Sequence, residues 1–367
     1  MLSILTKLNS QSIVCLLMPE RLRRWLSHDI GIDLGTANTL VYMRGRGIVV
    51  NEPSVVALNQ RTQTIVAVGE EAKAMLGRTP QHIVAVRPIV DGVISDFEVT
   101  EEMLRYLLRK AQANDRKLLG PRVVIGVPSG ITNVETRAVR DAATNAGARQ
   151  VFIVEEPMAA AIGIRLPVHE ARGSMIIDIG GGTTDIAVIS LGGIVKSRNS
   201  RIAGDRFNHD VMAYVRNEFK TLIGDNTAEE IKMRIGSVVP GPEAMTMNIR
   251  GRDLVTGLPR EITVTDADVR EAIGQSVDTL IETIKEVLET TPPEVVADIM
   301  QLGVFLTGGG ALLRGLDLLL SEYLKIPVRI GEEPLTAVAR GTGVVLENIT
   351  KYKEVLIRED NVLPPTK

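Results

Sequence analysis

Two aspartates in the chain, Asp33 and Asp178, each end a short apolar segment and directly precede a glycine-containing turn. Glycines let the backbone approach phosphate oxygens and point N–H groups at them, and threonine or asparagine side chains add hydrogen bonds. An aspartate at that position can hold a magnesium ion, usually through water. One such turn is a weak signal, because Asp-x-Gly-Thr also occurs in ordinary turns. Two of them, one domain length apart, predict a cleft that binds ATP and Mg²⁺ between two halves of the chain.

A third glycine-rich turn, 308–310, follows the apolar segment 304–307 and precedes a predicted helix that starts at Ala311. A turn that follows a strand lies at the carboxyl edge of a sheet, where α/β proteins bind ligands, so its backbone could hold the nucleotide. The alternative is a simple strand-to-helix turn. We pair it with Gly204-Asp205, which ends the strand-rich unit of the second half.

Two neighbouring carboxylates, Glu155 and Glu156, precede Pro157, which suits the first turn of a helix rich in small residues. Transfer of a phosphoryl group to water requires a side chain that orients the attacking water. The alternative is that both glutamates only stabilise the amino end of the helix through its dipole. The spacing alone does not choose between these roles.

The segments that carry the two aspartates repeat the same plan. The order strand, aspartate, glycine turn with threonine, strand, glycine turn, strand occurs over 30–50 and again over 175–195. Each half then has a further buried strand, 123–128 or 304–307, which is followed by a turn and a helix. This internal duplication at domain scale predicts an α/β fold with helices on both faces of each sheet.

Local signals place further elements around this plan. Thr132 and Glu135 form a capping-box pair at the start of one helix. Apolar residues at helical spacing predict a long helix over 266–291. The stretches 51–95 and 205–262 are expected to form smaller subdomains, one inserted in each half.

The composition is that of a globular protein, with 44% hydrophobic and 24% charged residues among 367. Aromatic residues make up only 3%, which indicates a core of Val, Ile, Leu and Ala. The net charge of −3 and the lack of a basic stripe argue against a nucleic-acid ligand. A single cysteine, Cys15, excludes an internal disulfide framework and fits a reducing cytoplasm. The four histidines are scattered and indicate neither a metal cluster nor a catalytic triad.

The N-terminal segment has a different character. No apolar stretch is long enough to span a bilayer, and no small-residue cleavage site is found, so we expect neither a membrane span nor a signal peptide. On a helical wheel, residues 18–26 separate into an apolar face with Leu22, Trp25 and Leu26 and a basic face with three arginines. Such a pattern is typical of a helix that lies on an anionic membrane. The alternative is a terminal helix docked on the domain.

The motifs resemble those of the actin, sugar-kinase and DnaK-type chaperone superfamily. Segments 33–36 and 178–183 are similar to its two phosphate motifs, and 307–311 is similar to its adenosine motif. Within the superfamily, the chain resembles the MreB family of bacterial rod-shape actins over residues 29–348. The phrases that carry this resemblance are IDLGTANTLVY, NEPSVVA, MLGRTP, RP-x-x-DGVI-x-DF, EEPMAAAIG, DIGGGTTD, TGGGALLRG and PLTAVARG.

The resemblance implies particular site residues. Glu156 would orient the hydrolytic water, Asp178 would assist catalysis, and Asp33 and Asp178 would hold Mg²⁺, through water. The implied nucleotide-binding residues are Asp33, Gly35, Thr36, Ala37, Asn38, Thr39, Gly180, Gly181, Gly182, Thr183, Gly204, Asp205, Glu229, Glu230, Ile231, Lys232, Gly308, Gly309, Gly310, Ala311 and Leu312.

The resemblance also implies an actin-like ATPase fold of two duplicated RNase H-like domains, each with an inserted subdomain, and a nucleotide in the cleft between them. The implied domains are 29–165 and 166–350, preceded by an extension over 1–28 and followed by a tail over 351–367. The protein would be a slow ATPase that forms antiparallel double filaments on the inner face of the cytoplasmic membrane. Its partners would be further copies of itself and the membrane proteins of cell-wall elongation, and its filaments would maintain rod shape.

Members of this family reach the membrane through an amphipathic N-terminal helix or an apolar loop pair. The implied membrane contacts are Leu22, Trp25 and Leu26 in the helix, and Leu118 and Leu119 in the loop. For the leucine pair, buried packing is the alternative. Residues 1–17 precede the usual start of such proteins, so either they are a genuine extension or translation begins at Met18.

Other classes of protein share the phosphate motifs. A small-molecule kinase of the same superfamily is the main alternative, and it would need a substrate pocket with a catalytic base. A chaperone ATPase would need a substrate-binding domain after the nucleotide domain, and we expect none. A DNA-segregating actin would need an adaptor partner. The phrases shared with MreB favour the filament protein over all three.

Overall fold

The structure is a computed structural model, and it describes residues 27–113, 117 and 119–357. The predicted N-terminal helix, with Leu22, Trp25 and Leu26, lies outside the described residues, as does Leu118. Leu119 is described, is partly buried and begins a strand.

Strands and helices alternate along the described residues, as predicted for an α/β protein. The strands are β1 (Ser27–Leu34), β2 (Asn38–Met43), β3 (Gly47–Pro53), β4 (Val56–Asn59), β5 (Thr64–Val68), β6 (Ile83–Val86), β7 (Ile89–Val90), β8 (Val93–Ile94), β9 (Leu119–Val127), β10 (Gln150–Glu155), β11 (Ser174–Ile179), β12 (Thr184–Ser190), β13 (Gly193–Ser200), β14 (Thr221–Leu222), β15 (Thr246–Asp253), β16 (Pro259–Thr265), β17 (Val304–Thr307) and β18 (Val328–Ile330). The helices are α1 (Glu70–Met75), α2 (Phe97–Ala111), α3 (Asn133–Asn145), α4 (Glu156–Gly163), α5 (Gly204–Glu218), α6 (Asp225–Ile235), α7 (Asp266–Glu289), α8 (Pro293–Leu302), α9 (Leu316–Leu324) and α10 (Ala337–Glu347).

Two five-stranded sheets share one topology. The first has the strand order β10-β9-β1-β2-β3, and the second has the order β13-β12-β11-β17-β18. In each sheet the first strand in sequence pairs antiparallel with the next strand and parallel with the strand that follows a long insertion. The matching order and orientation confirm the predicted duplication.

A small three-stranded sheet lies within each insertion. The sheet β5-β4-β6 comes between β3 and β9, and the sheet β14-β15-β16 comes between β13 and β17. They fall in or close to the stretches 51–95 and 205–262, which were predicted to be inserted subdomains. The exact bounds of the two main domains remain predictions.

The helices α4 and α10 pack between the two large sheets. Their apolar side chains form one core with residues of both sheets, including Val124 of β9 and Ile176 of β11. A methyl group added to Gly163 would collide with the carbonyl of Ala337, and one added to Gly341 would collide with the carbonyl of Ala159. The two helix backbones are therefore in direct contact, which is what a helix rich in small residues allows.

Helix ends follow the local sequence with two differences from prediction. The capping box at Thr132 is confirmed, since its N–H donates to Glu135 at 2.7 Å. The long helix α7 ends at Glu289 rather than at residue 291, shortly before Pro292. The prediction that a helix begins at Ala311 is wrong: a 3₁₀ turn covers Gly309–Leu312, and α9 starts only after Gly315. Gly315 has a φ of 77°, and this left-handed conformation interrupts a continuous helix.

Candidate nucleotide site

The two predicted phosphate loops meet face to face. Asp33 and Asp178 lie near the carboxyl ends of β1 and β11, the central strands of the two sheets. A methyl group on Gly181 would lie 2.6 Å from the Cβ of Ala37, which is closer than real Cβ atoms approach one another. A methyl group on Gly182 would likewise lie 2.7 Å from the Oγ1 of Thr36. Loops from separate halves of the chain thus form one backbone-lined cradle.

Hydroxyl groups hold the first loop, which joins β1 to β2. The buried hydroxyls of Thr39 and Ser54 lie 2.9 Å apart, and the Ser54 hydroxyl also donates to the carbonyl of Gly35 at 2.6 Å. The Thr36 hydroxyl accepts the N–H of Gly92 at 3.1 Å. The loop tip between these anchors, Ala37-Asn38, is exposed and available to a ligand.

The second loop, between β11 and β12, is held by its own backbone and by the start of α5. The N–H of Gly180 donates to the carbonyl of Thr183 at 2.8 Å. The N–H groups of Gly204 and Asp205 donate to the carbonyls of Gly180 and Gly181 at 3.1 and 2.7 Å. Gly204-Asp205, which we paired with the 308–310 turn, therefore lies against the second phosphate loop.

A cluster of carboxylates lies directly behind the two loops. Burial and the neighbouring Asp178 carboxylate raise the pKa of Asp33 to about 8, and burial raises the pKa of Asp178 to about 6. Burial, together with Asp185, Asp33 and Asp178, raises the pKa of Glu156 well above its usual value. The charged forms are disfavoured because these groups share a buried volume and repel one another.

This cluster fits a divalent cation bound together with phosphates. A cation would favour the charged carboxylates, and carboxylate oxygens are the protein ligands that Mg²⁺ prefers. Across 27–113, 117 and 119–357, no group of three or more acidic, histidine or cysteine side chains has the arrangement of a metal site. A magnesium ion held by one or two carboxylates, water and the nucleotide's phosphates does not need such a group.

Asp185 is a member of the cluster that our sequence interpretation did not single out. It pairs with Asp178 in the β11–β12 ladder and accepts the N–H of Ser129 at 2.7 Å and the amide of Asn199 at 3.1 Å. Burial raises its pKa to about 7, although both hydrogen bonds act to lower it. A charged residue that begins an otherwise apolar strand was the available signal. Because Ser129 follows β9, this contact also joins the two halves.

The two neighbouring glutamates, Glu155 and Glu156, differ in burial and in the groups with which they interact. Glu156 is 9% exposed and begins α4, and its charge interacts with three aspartates of the cluster. Glu155 is less buried, and the backbone of Gly130 opposes the rise that burial causes in its pKa. Glu156 is therefore the more buried of the two and interacts with three aspartates, whereas Glu155 contributes charge repulsion to Asp185.

The segment 229–232 contributes two of its four side chains to the cleft. Lys232 Nζ donates to the carbonyl of Gly204 at 3.0 Å and to Glu229 at 2.8 Å, so this pair lies beside the second loop. Glu230 instead pairs with Arg234 at 2.9 Å. The side chain of Ile231 is fully buried in the core of the second half, so only its backbone could serve a ligand.

The turn 308–310, which was predicted to bind adenosine (the adenosine turn), lies against the end of β11, just before the second phosphate loop. Gly308 has a φ of 79°, and its N–H donates to the carbonyl of Pro334 at 2.9 Å. A methyl group there would lie 2.8 Å from the Oδ1 of Asp178. Gly309 and Leu312 are exposed at this turn, whereas the side chain of Ala311 is buried in the core.

Two ion pairs connect the halves near the cleft. Arg87 Nη1 lies 3.0 Å from the Oδ2 of Asp205, and Arg201 Nε lies 3.4 Å from the Oδ2 of Asp91. The Asp205 carboxylate, predicted to face the nucleotide, is therefore engaged by an arginine of the other half.

The close contact between the two loops predicts that a larger residue at Gly181 will weaken nucleotide binding. Gly181→Ala is expected to lower nucleotide affinity about tenfold or more, because the new methyl group must push the two loops apart. Binding of a fluorescent ATP analogue measures this. Gly193→Ala is the matched control, since its nearest neighbour would lie 3.8 Å away. Equal affinities for the two variants would contradict the proposed cradle.

Two relatives from different bacteria are about half identical to this chain. The chain is 51% identical to the cell shape-determining protein MreB of Escherichia coli (strain K12) over 347 residues, which cover 94% of this chain and 100% of that relative. It is 52% identical to the cell shape-determining protein Mbl of Bacillus subtilis (strain 168) over 326 residues, which cover 89% and 97%.

Solved structures show the fold. MreB5 of Spiroplasma citri bound to ADP superposes with a TM-score of 0.85 at 39% identity, covering 89% of this chain and 98% of that one. The MamK double helical filament superposes with a TM-score of 0.75 at 24% identity, covering 88% and 99%, and this likeness concerns the fold alone. The family described as MreB/Mbl protein matches residues 27–354. With its duplicated sheets, paired glycine loops and carboxylate cluster, the chain has the actin-like fold and belongs to the MreB/Mbl family.

Proposed function

We propose that this protein binds ATP with Mg²⁺ between its two glycine loops, hydrolyses it slowly, and assembles into filaments on the inner face of the cytoplasmic membrane. These filaments organise cell-wall elongation and so maintain rod shape. The observation that carries the proposal is the contact of two loops from duplicated halves directly in front of a buried carboxylate cluster.

In this mechanism different groups of the chain bind the phosphates, hold the metal ion and orient the attacking water. The N–H groups of the two loops bind the phosphates, and Lys232 and Glu229 stand where the nucleoside would lie. Asp33 and Asp178 would hold the magnesium ion, which supplies neutralisation of phosphate charge when bound. Glu156 accepts a hydrogen bond from water and orients it toward the terminal phosphate. Asp185 is a positioning residue, because its hydrogen bond to the Ser129 N–H fixes one half against the other.

The relatives support the cytoskeletal part of the proposal. The MreB and Mbl proteins are named cell shape-determining, and MreB5 of Spiroplasma citri has been solved with ADP and with AMPPNP. MamK, which shares the fold, forms a double helical filament. Antiparallel pairing and recruitment of cell-wall proteins are the finer parts of this proposal.

Attachment to the membrane would be peripheral. Among the helices between Ser27 and Ile357 that the structure describes, none combines the length and apolarity that crossing a bilayer requires. The amphipathic segment 18–26 and the Leu118-Leu119 pair are the proposed contacts.

Electron microscopy tests this function. The purified protein, with ATP and Mg²⁺ on anionic lipid, is expected to form paired filaments that lie flat on the lipid, and the nucleotide-free control is expected to form few. A protein that binds ATP but remains monomeric at every concentration would contradict the proposal. A screen for small-molecule phosphorylation would then test the kinase alternative.

A further inference from the structure

The amino ends of β1 and β9 form one edge of the first sheet. The two strands are parallel, Ser27 pairs with Leu119, and the Ser27 hydroxyl donates to the carbonyl of Gly120 at 2.7 Å. The predicted amphipathic segment is joined directly to Ser27, and Leu119 belongs to the predicted apolar loop pair. Both segments that we expect to contact lipid therefore connect to the fold at this one edge.

A pocket opens at the same edge, with a volume of about 390 Å³. Its wall includes His28 and Asp29 of β1, Arg44 and Arg46 of the turn after β2, and Lys117. The volume falls in the range of small-molecule sites. Asp29 precedes Asp33 by four residues of extended strand, about 13 Å, so this pocket is separate from the nucleotide site.

The charges of this pocket do not cancel. Among the described wall residues Asp29 is the only acidic one, and Arg122 binds its carboxylate with two donors, Nε to Oδ1 at 2.8 Å and Nη2 to Oδ2 at 2.7 Å. Arg44 Nη1 lies 3.3 Å from the same carboxylate, which orients its guanidinium, and 39% of its side chain remains exposed. Because Arg122 already pairs with Asp29, Arg44 and Arg46 leave the described part of this pocket with excess positive charge.

Arginines at an open pocket recognise phosphate. A guanidinium presents five N–H donors in a planar fork that matches phosphate oxygens, and only some of those donors on Arg44 are used by Asp29. Basic pockets beside membrane-contacting segments bind the head groups of anionic lipids. A soluble phosphate compound has the same chemistry, but it would not require the site to lie beside two apolar segments.

We propose that this pocket binds the phosphate of an anionic phospholipid headgroup, with Arg44 and Arg46 as its main ligands. The inference rests on the proposed membrane association and adds a specific site to it. The apolar segments insert among the lipid chains, and the pocket selects the charge of the head group and sets the orientation of the protein on the surface.

Co-sedimentation with vesicles tests the proposal. The full-length Arg44→Gln/Arg46→Gln variant is expected to bind vesicles of phosphatidylglycerol and phosphatidylcholine roughly 10- to 30-fold more weakly than the unsubstituted chain. Asp29 keeps its bidentate partner Arg122 in this variant, so the fold and the ATPase rate should be unchanged. Arg250→Gln/Arg252→Gln is the matched control, because it removes the same charge from an exposed strand of the other half and should change binding less than twofold.

The outcomes separate the possible failures. If the unsubstituted chain binds anionic vesicles and the Arg44/Arg46 variant binds equally well, the pocket proposal is overturned and membrane association stands. If the unsubstituted chain binds no vesicles, the pocket proposal and the proposed membrane association are both overturned. Filament formation with ATP is tested separately, by electron microscopy. If millimolar glycerol phosphate protects the unsubstituted chain from heat, does not protect the variant, and leaves vesicle binding unchanged, the pocket is a site for a soluble phosphate and the lipid proposal is overturned.

Discussion

Glu156→Gln is expected to lower the rate of ATP hydrolysis by roughly 10²- to 10⁴-fold while nucleotide binding stays within a few-fold. Glutamine keeps the size and the position of the side chain at the start of α4, but it cannot accept a proton from the attacking water. In the proposed site the two loops would hold the nucleotide's phosphates, and this substitution does not touch them. Phosphate release under single-turnover conditions measures the rate, and a fluorescent ATP analogue measures the affinity.

The adjacent residue provides the control for this prediction. Glu155→Gln changes the same functional group one position earlier, at a less buried side chain that interacts with the backbone of Gly130 and, among the aspartates of the cluster, with Asp185. Its hydrolysis rate should stay within about threefold of the unsubstituted chain. A larger loss from Glu155→Gln than from Glu156→Gln would show that the water is oriented by the other glutamate.

Asp33→Asn is expected to stabilise the nucleotide-free protein at pH 8 by about 1–3 kcal/mol, although it should abolish the stabilisation by ATP and Mg²⁺. One pKa unit corresponds to about 1.4 kcal/mol, and solvent that reaches part of the Asp33 side chain reduces the effect. The asparagine carries no charge that burial and Asp178 could disfavour. Thermal unfolding in the presence of a chelator, with and without the later addition of ATP and Mg²⁺, measures both effects.

The pH dependence of this effect has a defined sign. The pKa of Asp33 is about 8 in the folded protein and about 4 in an unfolded chain. The folded state therefore binds the proton more tightly, and the stability that this proton gives is present below pH 4 and is lost as the pH rises toward 8. The advantage of Asp33→Asn should be largest above pH 8 and should vanish near pH 4.

A distant aspartate gives the comparison for this prediction. Asp278 is exposed on α7, and Asp278→Asn should change the unfolding temperature little at any of these pH values. If Asp33→Asn changes the unfolding temperature as little as Asp278→Asn does, burial does not disfavour the charged Asp33 carboxylate in the nucleotide-free protein.

The sequence predicted the parts of the site that depend on local patterns. Asp33, Asp178 and their glycine turns were found because each unit is contiguous in sequence and occurs twice. Asp185 was missed because its role comes from a contact with Ser129, far away in sequence. Spacing did not distinguish Glu155 from Glu156, and the resemblance assigned the water-orienting role to Glu156. In the structure Glu156 begins α4 and is the more buried of the two.

Other differences come from packing that spacing cannot reveal. Within 229–232, the helical register of α6 turns Ile231 into the core, while Lys232 reaches the carbonyl of Gly204 at the start of α5 and pairs with Glu229. After the adenosine turn, the left-handed Gly315 separates a 3₁₀ turn from α9, although the apolar pattern continues through both. The membrane segment 18–26 and Leu118 lie outside the described residues, so their roles remain predictions.

The contact between α4 and α10 also determines how the cleft can move. Gly163 and Gly341 bring the two helix backbones together without side chains between them. The two helices can therefore rotate about this contact, but they cannot slide past each other. The halves are also joined by the buried hydrogen bond from the Ser129 N–H to Asp185 and by two partly exposed ion pairs, Arg87–Asp205 and Arg201–Asp91, each worth at most about 1 kcal/mol. The helix contact restricts sliding of the two halves, and the ion pairs across the cleft are weak. We therefore expect a nucleotide bound between the two loops to determine how far the cleft opens.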